Sequence, residues 1–174
     1  RGCEHGCVYC YARPTHAYLN LSPGVDFETR LIARPGIAAV LDAELRKPAY
    51  AVQPFAIGTN TDPYQPIERD HILMRPILQV LSDFRHPVWI TTRGSTVERD
   101  IDLIAPMAAQ GLAAVSISVT TLDDALARKM EPRAPAPRRR LQMIERLARA
   151  GIPVRIQVSP LIPALTDHEL EGIL

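Results

Sequence analysis

The stretch MAAQGLAAVSISV, residues 107–119, reads as the end of one element and the beginning of another. Residues 107–110 close a helical pattern that opens near Ile101, Gly111 supplies the left-handed stop that commonly ends a helix, and a β-branched run comes at once. The same unit returns in LARAGIPVRIQV, residues 147–158, with Gly151 as the stop. A helix that passes through glycine directly into an apolar strand is half of a βαβ unit, and its repetition predicts a parallel sheet with helices outside it.

Outward from these two units the pattern holds in both directions. Strands are predicted over 55–59, 88–92, 115–119 and 154–159, and helices over 37–46, 67–84, 101–110 and 138–150. Pro76 should kink the second helix. The fourth should turn Leu141, Ile144, Leu147 and Ala148 to the core, after a proline-punctuated loop, EPRAPAPRRR, residues 131–140. Right-handed crossovers of this kind close toward a sheet or barrel whose ligand face is built from the loops after the strands.

The strands carry a second message. In VSISV, Val115, Ile117 and Val119 point one way and Ser116 and Ser118 the other; VRIQVS, residues 154–159, repeats this with Arg155, Gln157 and Ser159. A filled barrel interior prefers bulky aliphatic side chains. The polar face therefore predicts a lumen that holds a polar ligand, the alternative being serines that bond locally.

Composition sets the bounds. With 174 residues, 47% hydrophobic content and a formal net charge of +1, the chain reads as one domain with a sizeable core. No apolar run is long enough to cross a bilayer, no stretch reads as an export signal, and the charge gives no general pull toward nucleic acid. A reducing cytoplasm is the expected setting. The sequence begins inside its cysteine motif and ends within a helical pattern, so residues 1–174 are read as a fragment truncated at both ends.

All three cysteines lie in GCEHGCVYCYAR, residues 2–13, spaced C-x3-C-x2-C. An odd number crowded at one end argues against a disulfide framework, and no second cysteine pair completes a structural zinc site. His5 sits between two cysteines in a loop too short to present all four side chains to one metal, and is expected in solvent or behind the ligands. An iron–sulfur cluster held by Cys3, Cys7 and Cys10 leaves one iron open for a substrate or cofactor.

These motifs resemble those of the radical S-adenosylmethionine (SAM) enzymes, and of their spore photoproduct lyase-like branch along nearly the whole chain. CVYCYAR resembles the cysteine loop of that branch, GTNTDPYQPIE (58–68) its second-strand motif, TTRGS (91–95) its third and SISVTTLD (116–123) its fourth. EPRAPAPRRRL (131–141) resembles the loop after that strand, and GIPVRIQVSPLIP (151–163) the fifth strand. The resemblance implies an α/β fold, a partial (β/α)6 TIM-like barrel with its first strand missing N-terminally. It implies a [4Fe–4S] cluster on Cys3, Cys7 and Cys10, whose open iron is chelated by the methionine moiety of SAM. One electron then cleaves SAM to a 5'-deoxyadenosyl radical that abstracts hydrogen from a substrate. An electron donor of the flavodoxin or ferredoxin kind is implied as a partner.

Site roles come from the same resemblance. Tyr9 would lie over the cluster near the adenine, Asn60 and Asp62 near the methionine moiety, and Arg93, where the lyases carry lysine, on the cofactor carboxylate. Ser118 would touch the ribose, and Glu131 and Arg133 would border the cofactor; as residue types alone, these last two read as a surface ion pair. Arg138, Arg139 and Arg140 read as a solvated helix start. The lyases use an additional cysteine at the end of the second strand to return hydrogen to the product radical, and Thr59 stands in the matching position here. Quenching would pass instead through Tyr9 or Tyr11, or the substrate differs from a thymine dimer. Three readings result: a radical SAM enzyme of unknown substrate, a DNA-lesion lyase in the strict sense, or a non-catalytic iron–sulfur or metal module.

Overall fold

A computed structural model describes residues 1–174. Four parallel strands, β1 (Phe55–Ile57), β2 (Val88–Thr92), β3 (Ala113–Ser118) and β4 (Val154–Gln157), form one sheet in sequence order. Each neighbour lies one crossover further along the chain, as in a barrel wall. The register sets Ile57 beside Ile90 and Ile90 beside Val115, and one row on sets Thr91 beside Ser116 and Ser116 beside Arg155.

Helices α1 (Val25–Thr29) and α2 (Ile37–Leu45) precede the sheet. The first crossover holds α3 (Glu68–His71) and α4 (Met74–Asp83), the second α5 (Ile101–Ala109), and the third α6 (Asp124–Met130) and α7 (Pro137–Arg149). A last turn, α8, covers Leu170–Ile173. Leu78 and Leu81 of α4, Ile104 and Met107 of α5 and Met143 and Leu147 of α7 bury themselves with Ile90, Val115 and Ile117. This apolar layer is the core.

The opposite face is polar, as the alternation predicted. Trp89 donates its indole N–H to Ser116 Oγ at 2.7 Å, and the Arg155 guanidinium lies 3.7 Å from the centre of the Trp89 ring. Thr91, Ser118 and Gln157 continue this face toward the C-terminal strand ends.

Three helices end alike. Gly111 after α5 and Gly151 after α7 take positive φ, and the amides of Leu112 and Ile152 reach back to Met107 and Leu147. Arg85 after α4 does the same at φ 50°, with the His86 amide on Leu81. The predicted helix 67–84 is broken at Ile72, which takes φ 46°, and the Glu68 carboxylate accepts from the amides of Leu73 (3.1 Å) and Met74 (2.8 Å) to begin α4. Pro76 therefore falls in a first turn, where its missing N–H is not needed, and causes no kink. Helix α6 was not predicted, although the Asp123 side chain caps it, accepting from Ala125 N at 2.7 Å. In α7, Leu141 is 38% exposed and Arg140 takes the buried place expected of it.

Candidate active site

The cysteine loop is fastened at several points to distant parts of the chain. The Cys3 amide donates to Phe27 O at 2.9 Å and the Val8 amide to Met130 O at 3.0 Å. Gln65 accepts from the Glu4 amide at 2.8 Å and donates to Gly2 O at 3.0 Å, while Arg13 donates to Cys7 O from both Nε (3.1 Å) and Nη2 (2.9 Å). The three thiols are free and line one cavity of about 190 Å³. Burial pushes the Cys3 thiol up to about 12 and the Cys7 thiol up to about 11, so a ligand that takes them as thiolates must displace their protons. No three His, Cys, Asp or Glu side chains converge as they would around a single ion. Three soft sulfur donors around one cavity fit an iron–sulfur cluster in donor chemistry.

Thr59, Asn60, Asp62, Thr91, Arg93, Ser118 and Gln157 line the same cavity, so β2 to β4 and the loop after β1 all bring polar groups to it. Glycine closes the β1 corner of this cavity. Gly58 has φ 102°, and a Cβ there would meet Thr91 O at 2.0 Å. Beyond the same corner a second groove, of about 290 Å³, runs along the outer side of β1; it shares residues 58–62 with the first cavity but holds none of the cysteines.

Asp62 is a hub. It accepts from Tyr64 N and Arg93 N, each at 2.9 Å, and from the Thr92 hydroxyl, and lies 3.2 Å from His5 Nε2. Burial would raise the Asp62 carboxyl, but His5, Thr92 and the Arg93 amide outweigh it and hold the group far below the usual carboxylate range. His5, expected in solvent or behind the ligands, is 2% exposed, with its Nδ1 3.4 Å from Arg133 O. Asp62 thus ties the cysteine loop to the β2 loop.

Arg93 divides its guanidinium. Nη1 lies 3.1 Å from Cys7 Sγ and 2.6 Å from Tyr9 Oη and pairs with Glu131, Nε and Nη2 make no hydrogen bond to the protein, and the residue lines the cavity. Glu131 is buried and also accepts from Tyr9, from Thr120 at 2.9 Å, and from Arg140. Burial opposes its ionisation, yet Arg93 and Arg140 hold its carboxyl below the ordinary value.

The structure brings Cys3, Cys7, Cys10, Tyr9, Tyr11, Asn60, Asp62, Arg93 and Ser118 to one cavity. Glu131 stands behind it, and Arg133 faces a separate cleft of about 280 Å³. These last two form no pair with each other: Arg133 pairs with Glu28 and donates to Glu4 O. The two tyrosines also differ. The Tyr9 hydroxyl is locked among Arg93, Glu131 and Thr120, and burial raises its ionisation well above the ordinary tyrosine value. Tyr11 is 77% exposed and donates to the Thr59 carbonyl. Sequence reasoning missed Arg140, whose buried position at one end of an arginine run carries no local mark, and Thr120, which lies directly beyond the strand that was read.

The sequence profile of the radical SAM superfamily matches residues 1–174. Uncharacterized proteins of Mycobacterium tuberculosis and Mycobacterium bovis are 42% identical over 167 residues, covering 96% of this chain and 49% of theirs. An uncharacterized protein of Methanocaldococcus jannaschii is 27% identical over 168 residues, 97% of this chain and 60% of its own. The chain therefore spans about half the length of the mycobacterial relatives. Among solved structures, a spore photoproduct lyase complexed with dinucleoside spore photoproduct superposes with a TM-score of 0.64 at 18% identity, over 99% of this chain and 45% of its own. A mutant of that lyase with bound AdoMet and dinucleoside spore photoproduct gives 0.63 at 18% identity, over 91% and 43%. These likenesses are of fold. With its whole length matched by the superfamily profile, the chain belongs to the radical SAM superfamily of enzymes.

Proposed function

We propose that Cys3, Cys7 and Cys10 hold a [4Fe–4S] cluster and that the adjoining cavity binds SAM. The observation that carries the reading is that three thiols share one cavity with Arg93, whose guanidinium has Nε and Nη2 without a protein partner. Held there, the cluster would supply the one-electron chemistry by which SAM is cleaved for hydrogen abstraction. The chain's own residues bind and orient. Nε and Nη2 of Arg93 match a carboxylate in the forked geometry that suits guanidinium. Asn60, whose side chain has no protein partner, and Ser118 offer neutral hydrogen bonds in the same cavity. Asp62 fixes the backbone from which Arg93 projects.

The substrate is left open in this reading. At Thr59, where the lyases have their cysteine, the side chain offers an O–H bond too strong to return hydrogen to carbon. Tyr11 is the better placed of the two tyrosines for that step, since its exposed hydroxyl meets the cavity rim with one partner, the Thr59 carbonyl, whereas that of Tyr9 is held by Arg93, Glu131 and Thr120. A strict DNA-lesion lyase is the second reading, favoured by the fold likeness to a lyase complexed with dinucleoside spore photoproduct. An electron donor of the flavodoxin or ferredoxin kind is the proposed partner, and a reducing cytoplasm the setting that keeps such a cluster intact. No helix is long and apolar enough to cross a membrane.

The test is anaerobic reconstitution with iron and sulfide, reduction with SAM present, and chromatography for 5'-deoxyadenosine. Its formation, dependent on all three cysteines, is expected. A protein that retains full iron and sulfide as Cys7→Ala, or that yields none of the nucleoside when reduced, overturns the proposal.

A further inference from the structure

The third crossover delivers a charged group into the interior that the cavity itself never touches. Arg140, on the first turn of α7, is 2% exposed. Its Nε donates to Pro135 O at 2.8 Å, its Nη1 to Ser118 O at 3.0 Å, and its Nη2 to Glu131. A buried guanidinium is costly unless every edge is satisfied, and here the partners are the last residue of β3, the loop before α7 and a carboxylate. Glu131 in turn takes Arg93 Nη1, the atom that lies 3.1 Å from Cys7 Sγ. A chain of contacts thus runs from α7 to a cysteine sulfur.

We infer that Arg140 is a positioning residue: through Glu131 it fixes which edge of Arg93 faces Cys7 and which faces the cavity. The inference rests on the proposed function, and concerns residues outside the cavity lining. Two guanidiniums and one carboxylate leave one net positive charge beside the Cys7 sulfur. Hydrogen bonds to cluster sulfurs and nearby charge set the potential of an iron–sulfur centre. Without Arg140, Glu131 has only Arg93 to neutralise it. The Arg93 guanidinium is drawn to the carboxylate, its Nε and Nη2 edge turns from the cavity, and the charge beside Cys7 falls to none. If Glu131 loses its charge instead, both cations remain and the local charge rises.

The two substitutions should move the cluster in opposite directions. Arg140→Met and Glu131→Gln are reconstituted beside the parent, iron and sulfide are assayed, and the midpoint of the cluster is read by redox titration under electron paramagnetic resonance. Titration calorimetry gives the affinity for SAM. Arg140→Met should shift the midpoint to more negative potential and weaken SAM about tenfold, the loss of one charge-assisted contact. Glu131→Gln should shift the midpoint to more positive potential, and Arg140→Lys should restore most of the parental midpoint because it restores the charge. Equal midpoints and affinities in all variants with full iron content overturn the inference, even where melting temperatures fall. If Arg140→Met does not fold, the sign of the Glu131→Gln shift decides: a positive shift supports the inference, and no shift or a negative one overturns it. A parent that binds neither cluster nor SAM overturns the proposed function itself, which the variant comparison cannot do.

Discussion

Arg93 is held at three points before any ligand arrives: its amide by Asp62, its Nη1 by Glu131 and Tyr9, and its guanidinium carbon 5.7 Å from the centre of the Tyr9 ring. A side chain so placed has lost its rotamer freedom during folding rather than on binding, which lowers the entropic cost of meeting a carboxylate. Arg93→Ala should therefore act twice. Removing a charge-assisted contact of about 1.5 to 3 kcal/mol should weaken SAM by roughly ten- to a hundredfold. Leaving buried Glu131 with one cation fewer should also cost about 1 to 3 kcal/mol of stability. Calorimetry on the reconstituted protein and thermal melts of the cluster-free protein read the two separately, and unchanged affinity would refute the carboxylate role. Arg93 is singled out through the resemblance to the lyase-like branch, as the residue after a strand where the lyases carry lysine. The sequence could not point to Arg140, because three consecutive arginines differ only in which one the helix turns inward, and that depends on where α7 begins.

At the scale of elements, the helix stops show what local chemistry makes legible. Gly111 and Gly151 mark the ends of α5 and α7 in the sequence because glycine is the residue that takes positive φ without strain. Arg85 ends α4 with the same backbone bonds and no such mark, so the same device went unread. The left-handed conformation costs a non-glycine residue about 1 to 2 kcal/mol, and the exposed Arg85 side chain makes no hydrogen bond or ion pair in return. Arg85→Gly should stabilise the protein by about 0.5 to 1 kcal/mol, raising the melting temperature by about 2 to 4 °C per kcal/mol at this size. A fall in melting temperature would show that the arginine contributes something the backbone does not. The break at Ile72 was hidden for a related reason. A β-branched residue is the last expected at positive φ, and the Glu68 carboxylate that caps the new helix is recognisable only once the chain has turned. Gly58→Ala is the converse case: its Cβ would stand 2.0 Å from a β2 carbonyl, so a loss of about 3 kcal/mol or more is expected in denaturant melts.

For the molecule as a whole, the period-2 alternation of the strands separates stability from ligand contact, and that separation was readable because it depends only on side-chain direction. Which loops would cross to meet the polar face was not readable, since the contacts of Cys3 with Phe27 and of Val8 with Met130 join residues far apart in sequence that no local pattern links. Ile117 and Gln157 stand one residue off register on adjacent strands and point to opposite faces: Ile117 is fully buried under the helices, while Gln157 is exposed in the cavity wall. Ile117→Ala should cost about 2 to 5 kcal/mol through lost packing, with SAM affinity unchanged in whatever stays folded. Gln157→Ala should leave stability within about 0.5 kcal/mol, because it removes a solvated side chain. Its effect should fall on ligand affinity alone, a few-fold for one neutral hydrogen bond of about 0.5 to 1.5 kcal/mol. Thermal melts and calorimetry on both variants give a two-by-two outcome. Should Gln157→Ala lower the melting temperature as far as Ile117→Ala does, the polar face is a packed surface rather than a lumen wall, and the cavity it shares with the cysteines needs another occupant than SAM.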